Sequence, residues 1–263
     1  MIFKLIDSMS IFSAYVVIAI LMLVSFEIGY QIGGRARKRQ EKDTADSLGP
    51  MVGGLLGMLA FVLAFTFSIA ASNHNLRKQN VLDEANVVGT AYLRADLIDD
   101  QQRSEVKRLL REYVDLRLQA VGVDSIEKLK KAIARSVEIH KLLWTQVSIA
   151  AKAEPNSNTA LLVKSVNDII DMHEKRVTAG LYNKIPLSIW IALLAISTLT
   201  MMTMGTQVGH TGKRKLVAVI PVSLAFAVLV TVILDLDRPQ RGLITVEQRS
   251  MIDLKATFDQ GKK

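Results

Sequence analysis

The chain contains no cysteine, which excludes a disulfide framework, a thiolate nucleophile and a cysteine-based metal site. Histidine is nearly as scarce. His74, His140, His173 and His210 are far apart, and no His-x-x-x-His or Asp-x-His pair gains a third ligand at metal spacing. Asp171 and His173, two residues apart on a helix, face different ways. There is no Gly-x-Ser-x-Gly elbow, phosphate loop, dinucleotide fingerprint or kinase set, so neither a cofactor nor enzymatic activity is expected. Aromatic residues make up only 6% of the chain. The net charge of +8 thus lacks the aromatic interleaving of a single-strand binder, and nucleic acid is not expected as a partner.

The chain is rich in apolar runs. Of its 263 residues, 50% are hydrophobic and 22% charged, but the two kinds are segregated. Apolar residues pool at Ile11 to Ile32, Leu48 to Ala71, Ile185 to Met204 and Leu216 to Leu234, each near the length that crosses a bilayer core of about 30 Å at about 1.5 Å per residue. The first run is too long for a signal-peptide core and ends in Gly33-Gly34-Arg35 rather than a cleavage site, so it is expected to be retained. The fold class is therefore all-α and integral to the membrane, with four transmembrane helices and a helical extramembrane domain inserted between spans two and three. The expected boundaries are 1–72 for spans one and two with their basic loop, 73–183 for a bundle continuous with helix two, 184–235 for spans three and four, and 236–263 for a polar tail. Membrane lipid is the first implied partner.

Span two differs between its faces. At about 100° per residue, Gly53, Gly57, Ala60, Ala64, Ser68 and Ala71 share one stripe, with Phe61 and Phe65 beside it. Small residues admit another helix, and packing of the small-xxx-small kind is one reading. In the other, copies of this helix line a central pore, with Gly57, Phe61, Ala64, Phe65 and Ser68 setting its width and gating it by dewetting. Glu27 in span one is an intramembrane acid and a functional candidate, although it could also reach the headgroups or Arg35. The loops Arg35 to Lys42 and Lys213 to Lys215 are basic and lean cytoplasmic, putting the central domain and termini on the opposite face of the cell inner membrane.

Between Asn73 and Asn183 apolar residues recur at helical spacing. Asp99-Asp100 can cap a helix from Gln101 to Ala120 with Leu109, Tyr113, Leu116 and Ala120 on one stripe, and Asp124 or Ser125 can cap the next. That next helix would bury Ile126, Leu129, Ile133, Val137, Leu143 and Trp144, and a third would bury Leu161, Leu162, Val166, Ile169 and Ile170. Asp83, Glu84 and Asn86 suit interhelical pairing with Arg94, Arg111 or Arg117, or an electrostatic ring around a conduit. Arg103, Lys107, Arg108, Arg111 and Arg117 read as a solvated or salt-bridged face, or as an anion funnel. Trp190 suits the membrane interface, and Pro221 a kink compensated by neighbours such as Ser223.

Phe65-Thr66-Phe67-Ser68 with Ala70-Ala71, Glu84-Ala85-Asn86, Gly89-Thr90-Ala91-Tyr92-Leu93-Arg94, Leu109-Leu110-Arg111-Glu112-Tyr113-Val114-Asp115 and Asp235-Leu236-Asp237-Arg238-Pro239 together resemble the bacterial bestrophin-like membrane family. The resemblance covers nearly the whole chain. It implies an analogy with bestrophins, pentameric anion channels in which span two lines the pore and a helical domain extends the conduit. By that analogy Phe61, Phe65 and Ser68 are neck positions, and Arg77, Lys78 and Arg94 face permeating anions. The long acidic calcium-binding run of bestrophins is missing here, with only Asp235 and Asp237 in its place. The functional expectation is a homo-oligomeric ion channel. A membrane-anchored scaffold or sensory protein is the alternative, and a proton-driven motor subunit a third reading with Thr198, Thr200, Thr203 and Thr231 as weak candidates.

Overall fold

Long apolar runs and helical periodicity leave the backbone one economical solution in a membrane, the α-helix, which satisfies its own N–H and C=O groups. The computed structural model describes residues 9–38, 44–121, 126–212, 216–238 and 242–260. Among these residues the regular structure is helical: α1 Ile11–Lys38, α2 Thr44–Arg94, α3 Asp100–Gln119, α4 Ile126–Ala153, α5 Ser157–Leu181, α6 Leu187–Thr211, α7 Leu216–Asp237 and α8 Arg249–Gln260. A 3-10 turn at Ala95–Leu97 follows α2. Four helical stretches are long and apolar enough to cross a membrane, namely Ile11–Lys38, Leu48–Leu97, Leu187–Thr211 and Val219–Asp237. The chain divides into two compact units. One gathers the described residues of 1–73, 184–238 and 242–244, the other those of 74–183 and 245–263.

In the first unit α1 and α6 approach to main-chain contact. Gly29 and Gly33 meet the carbonyls of Met202 and Thr206, while Gly205 and Gly209 meet those of Phe26 and Tyr30. A Cβ at any of the four would overlap the opposing backbone, so two Gly-x-x-x-Gly pairs are used reciprocally. Met22, Phe26, Met201 and Val219 form one apolar cluster in this unit. Leu59, Leu63, Trp190, Leu193, Val230 and Ile233 form another. Trp190, read from the sequence as an interfacial anchor, is buried because the turn before α6 folds it onto that cluster. Ser223 likewise does not serve the carbonyl freed by Pro221. Its hydroxyl reaches the Met201 sulfur at 3.9 Å.

The Asp235-Leu236-Asp237-Arg238 sequence closes one end of this unit. Asp235 accepts from the main-chain N–H of Leu243 at 3.0 and 3.1 Å and of Ile244 at 2.9 Å, and Asp237 accepts from that of Ile185 at 2.9 Å. Arg238 donates to the Met9 carbonyl at 2.9 Å. The motif thus ties the ends of α1, α6 and α7 and the turn at 242–244 to one another through charge-assisted hydrogen bonds.

In the second unit the core is built from Val88, Leu109, Leu110, Tyr113, Ile139, Leu143, Leu162, Val166 and Ile169. Asn156 caps α5 in a reciprocal box with Thr159, which satisfies donors that a helix start leaves open. Asp99 stands at the start of α3 without a side-chain cap bond, and Asp124 and Ser125 lie outside the described residues. The buried side of α4 is Ser136, Ile139, His140, Leu143, Val147 and Ala150, whereas Val137 and Trp144 are exposed. Of the stripe expected from the sequence, Leu143 is buried, Leu129 and Ile133 are half-buried and Val137 and Trp144 point outward, because the inner face carries polar residues that interrupt the apolar pattern; the side chain of Ile126 lies outside the described residues. The segment read as a polar tail also differs. Its helix α8 buries Met251 and Phe258 in this core, with Phe258 stacked on Tyr92 at 4.0 Å between centroids.

The close approach of α1 and α6 is open to test. Gly205→Leu should force the two main chains apart at a cost of about 1–3 kcal/mol. It should lower the thermal unfolding midpoint of the purified protein in detergent. Gly34→Leu, where an added Cβ meets open space, should leave the midpoint unchanged.

Candidate functional site

On α2 the positions that a narrow helix neighbour would need are uncovered. Gly53, Gly54, Gly57, Ala60, Ala64 and Ser68 are exposed, while Val52, Leu59, Leu63, Thr66 and Ala70 are buried. An added Cβ at Gly53, Gly54 or Gly57 would meet nothing within 4 Å. Phe61 is 72% and Phe65 55% exposed. The five residues singled out as pore-lining, Gly57, Phe61, Ala64, Phe65 and Ser68, therefore share one open side of the helix. By contrast the open side of α1 is bulky, with Phe12, Val17, Ile20, Val24 and Ile28. Glu27 is half-buried and accepts from Gln31 at 3.3 Å.

The second unit holds a buried polar cluster. Glu84 of α2, Tyr113 of α3 and His173 of α5 are fully enclosed, and His140 of α4 is nearly so. Tyr113 Oη donates to Glu84 Oε1 at 2.5 Å, Arg117 Nε lies 3.3 Å from the same oxygen, and Arg176 pairs with Oε2. Arg176 also donates to Gln248 at 3.1 Å. The two imidazoles stand edge to face with centroids 4.9 Å apart, and Tyr113 Oη lies 3.5 Å from His173 Nδ1.

Burial drives these groups away from their ordinary titration. It lowers His140 to about 4, against a partial counteraction from Glu84. It lowers His173 to about 4 as well, with Arg117 and His140 adding to the effect. Burial first, then the Glu84 charge, raises Tyr113 well above its usual value. Both imidazoles are thus neutral at physiological pH, and the tyrosine keeps its proton.

Of the four residues considered for conduit electrostatics, this cluster absorbs Glu84. Arg77 is buried in the same unit and donates to the carbonyls of Ala179 at 2.9 Å and Asn183 at 2.7 Å. Arg94 donates to Leu161 and Ser165 at 3.1 and 2.6 Å. Lys78 alone of the four is exposed. Arg103, Lys107 and Arg108 pair with nearby acids, and Arg111 donates to the Tyr92 hydroxyl. Among the described residues no set of three or more His, Asp and Glu side chains is arranged to hold a metal ion.

Of this site, sequence reasoning offered Arg117 as one of three alternative partners for Glu84, beside Arg94 and Arg111, and missed His140, His173 and Arg176, which lie far from Glu84 along the chain. A buried polar residue looks like a surface one in sequence. The available signal was Ser136 and His140 in helical register with Ile139 and Leu143.

These features define an all-helical, multi-pass membrane protein with four apolar spans and a second helical unit built around an internal ion cluster. The chain belongs to the bestrophin-like family, whose bestrophin-like domain it matches over residues 16–251. Its fold is similar to two variants of a bacterial bestrophin homologue from Klebsiella pneumoniae. A leucine-to-threonine variant aligns at a TM-score of 0.61 and 12% identity over 96% of this chain and 99% of that one. An isoleucine-to-threonine variant gives 0.57 and 13% over 94% and 99%. A membrane protein with a proline-to-alanine change aligns at 0.60 and 12% over 95% and 97%. A comparison with curated proteins finds no match.

Two predictions follow from the cluster. Glu84→Gln leaves Arg117 and Arg176 buried without a counter-charge and should destabilise the protein by about 3–5 kcal/mol, read as a loss of thermal midpoint. Independently, the histidines make stability fall with acid. Above pH 6.5, the ordinary histidine value, both are neutral in either state; between 6.5 and about 4 the unfolded chain takes up two protons that the fold refuses. Stability should decline by up to about 1.4 kcal/mol per pH unit for each imidazole across that window and level off below it. Melting curves of the full chain between pH 7 and 5 check this, and His140→Gln should shallow the slope.

Proposed function

We propose that this chain is one subunit of a homo-oligomeric, anion-conducting channel of the bacterial inner membrane, a pentamer by family analogy, with the second span at its axis. The observation that carries this reading is the uncovered small-residue side of α2. Lipid asks only for apolar bulk, which α1 supplies on its own open side. A side notched by glycine and alanine instead suits close approach by a copy of the same helix around a narrow path. Phe61 and Phe65 beside it are exposed and would form the neck, and Gly57, Ala64 and Ser68 would complete its lining.

Further along α2 the exposed positions include Asn75, Gln79, Asn86 and Thr90, neutral and hydrophilic as a water-filled path requires, together with the apolar Leu76, Leu82 and Leu93. The anion preference in this reading rests on Lys78, since Arg77, Glu84 and Arg94 are engaged inside their own unit. The second unit would lie outside the bilayer. The basic loops would face the cytoplasm, although Arg39 to Lys42 and Lys213 to Lys215 lie outside the described residues.

The outward stripe of α4, with Val137 and Trp144 exposed, favours a second reading in which this unit docks a partner and the spans anchor it. The motor reading gains no support. Thr198, Thr200, Thr203 and Thr231 each donate to a carbonyl of their own helix, at 2.9, 2.7, 2.8 and 2.7 Å.

The test is anion flux from liposomes holding the purified protein, with single-channel recording in planar bilayers. Wild type should conduct, and Phe65→Ala should raise unitary conductance by widening an apolar constriction. Absence of flux across voltage, pH and osmotic conditions would reject conduction; unchanged conductance in the variant would reject the neck assignment alone.

A further inference from the structure

The second unit contains a cavity of about 290 Å³, walled by α2, α3, α4, α5 and the segment before α8. This is near the small end of ligand pockets, which span roughly 300–1,000 Å³. Its lining includes three guanidinium groups, those of Arg77, Arg117 and Arg176, together with the aliphatic side chains of Val121, Ile133 and Val177. Arg77 is oriented by its bonds to the carbonyls of Ala179 and Asn183. Arg117 and Arg176 share a single carboxylate, Glu84. Among the described residues no second acid acts on either of them. Burial, and after it the neighbouring Arg117, pushes Arg176 below its ordinary value, whereas burial of Arg117 is outweighed, chiefly by Glu84, which holds it above its own, so of the two guanidinium groups Arg176 is the one left short of negative charge.

We propose that this cavity binds a small organic carboxylate, its head on the guanidinium groups of Arg77, Arg117 and Arg176 and its apolar body against Val121, Ile133 and Val177. Guanidinium groups match a carboxylate fork. The cavity is far larger than a monatomic anion needs, and its largely aliphatic wall would offer nothing to a wholly hydrated dianion such as phosphate. The site is internal to one chain and does not depend on the conduction reading.

The experiment is isothermal titration of the full-length protein in detergent, corrected against protein-free micelles, with benzoate as probe and benzamide as its uncharged counterpart. Benzoate should bind once per chain, and benzamide at least about tenfold more weakly, since a charge-assisted hydrogen bond is lost. Arg77→Gln should weaken benzoate by about tenfold. Gly180 also lines the cavity and has nothing within 4 Å of an added Cβ. Gly180→Leu should therefore fill the space and abolish binding, while its melting curve shows a folded protein even if Arg77→Gln proves unstable. The proposal is overturned by no benzoate binding, by equal affinity for benzamide, by inorganic phosphate binding as well as benzoate, or by unchanged affinity in folded Gly180→Leu.

Discussion

One buried carboxylate constrains the whole second unit. Glu84 is fully enclosed and holds Arg117, Arg176 and the Tyr113 hydroxyl. Taking such charges out of water costs several kcal/mol per ion, so the cluster is a poor source of net stability. Its effect is on register. Leucine and valine side chains tolerate sliding by a turn, whereas a carboxylate that must meet two guanidinium groups and a phenol does not. Glu84 comes from α2, Tyr113 and Arg117 from α3, and Arg176 from α5, so three helices are fixed against one another by one residue. His140 of α4 and His173 of α5 then fill the remaining space as neutral rings, because that space is too enclosed to solvate an imidazolium.

The four spans were legible in the sequence because a run of about 20 apolar residues has few other uses. The helical character of the middle of the chain was legible from its periodicity. What escaped was whatever depends on distant residues meeting. Gly29, Gly33, Gly205 and Gly209 form two Gly-x-x-x-Gly pairs that sequence alone does not couple, whereas the conspicuous Gly53 and Gly57 have nothing among the described residues within 4 Å of an added Cβ. On α4 the apolar pattern is split, with Val137 and Trp144 exposed and Ile133 half-buried. The inner stripe is interrupted by Ser136 and His140 because it serves a polar cluster. The tail helix escaped for a related reason: its polar composition conceals the two residues that matter, Met251 and Phe258.

The two groups of membrane glycines carry the same chemistry to different ends. Gly29 and Gly33 of α1 and Gly205 and Gly209 of α6 are consumed inside the chain, where each sits against a carbonyl of the opposing helix. Gly53, Gly54 and Gly57 of α2 face open space. Glycine lowers helix stability by about 1 kcal/mol relative to alanine in water, and a surface facing lipid gains nothing from the missing side chain, because hydrocarbon fills against leucine as readily as against glycine. Smallness on an uncovered side suits something that must come close, and in the proposed channel that is a second helix or a narrow column of water. Exposed Phe61 and Phe65 stand beside that face, and in the proposed channel their bulky rings would set the width of a neck that the small residues alone would leave undefined.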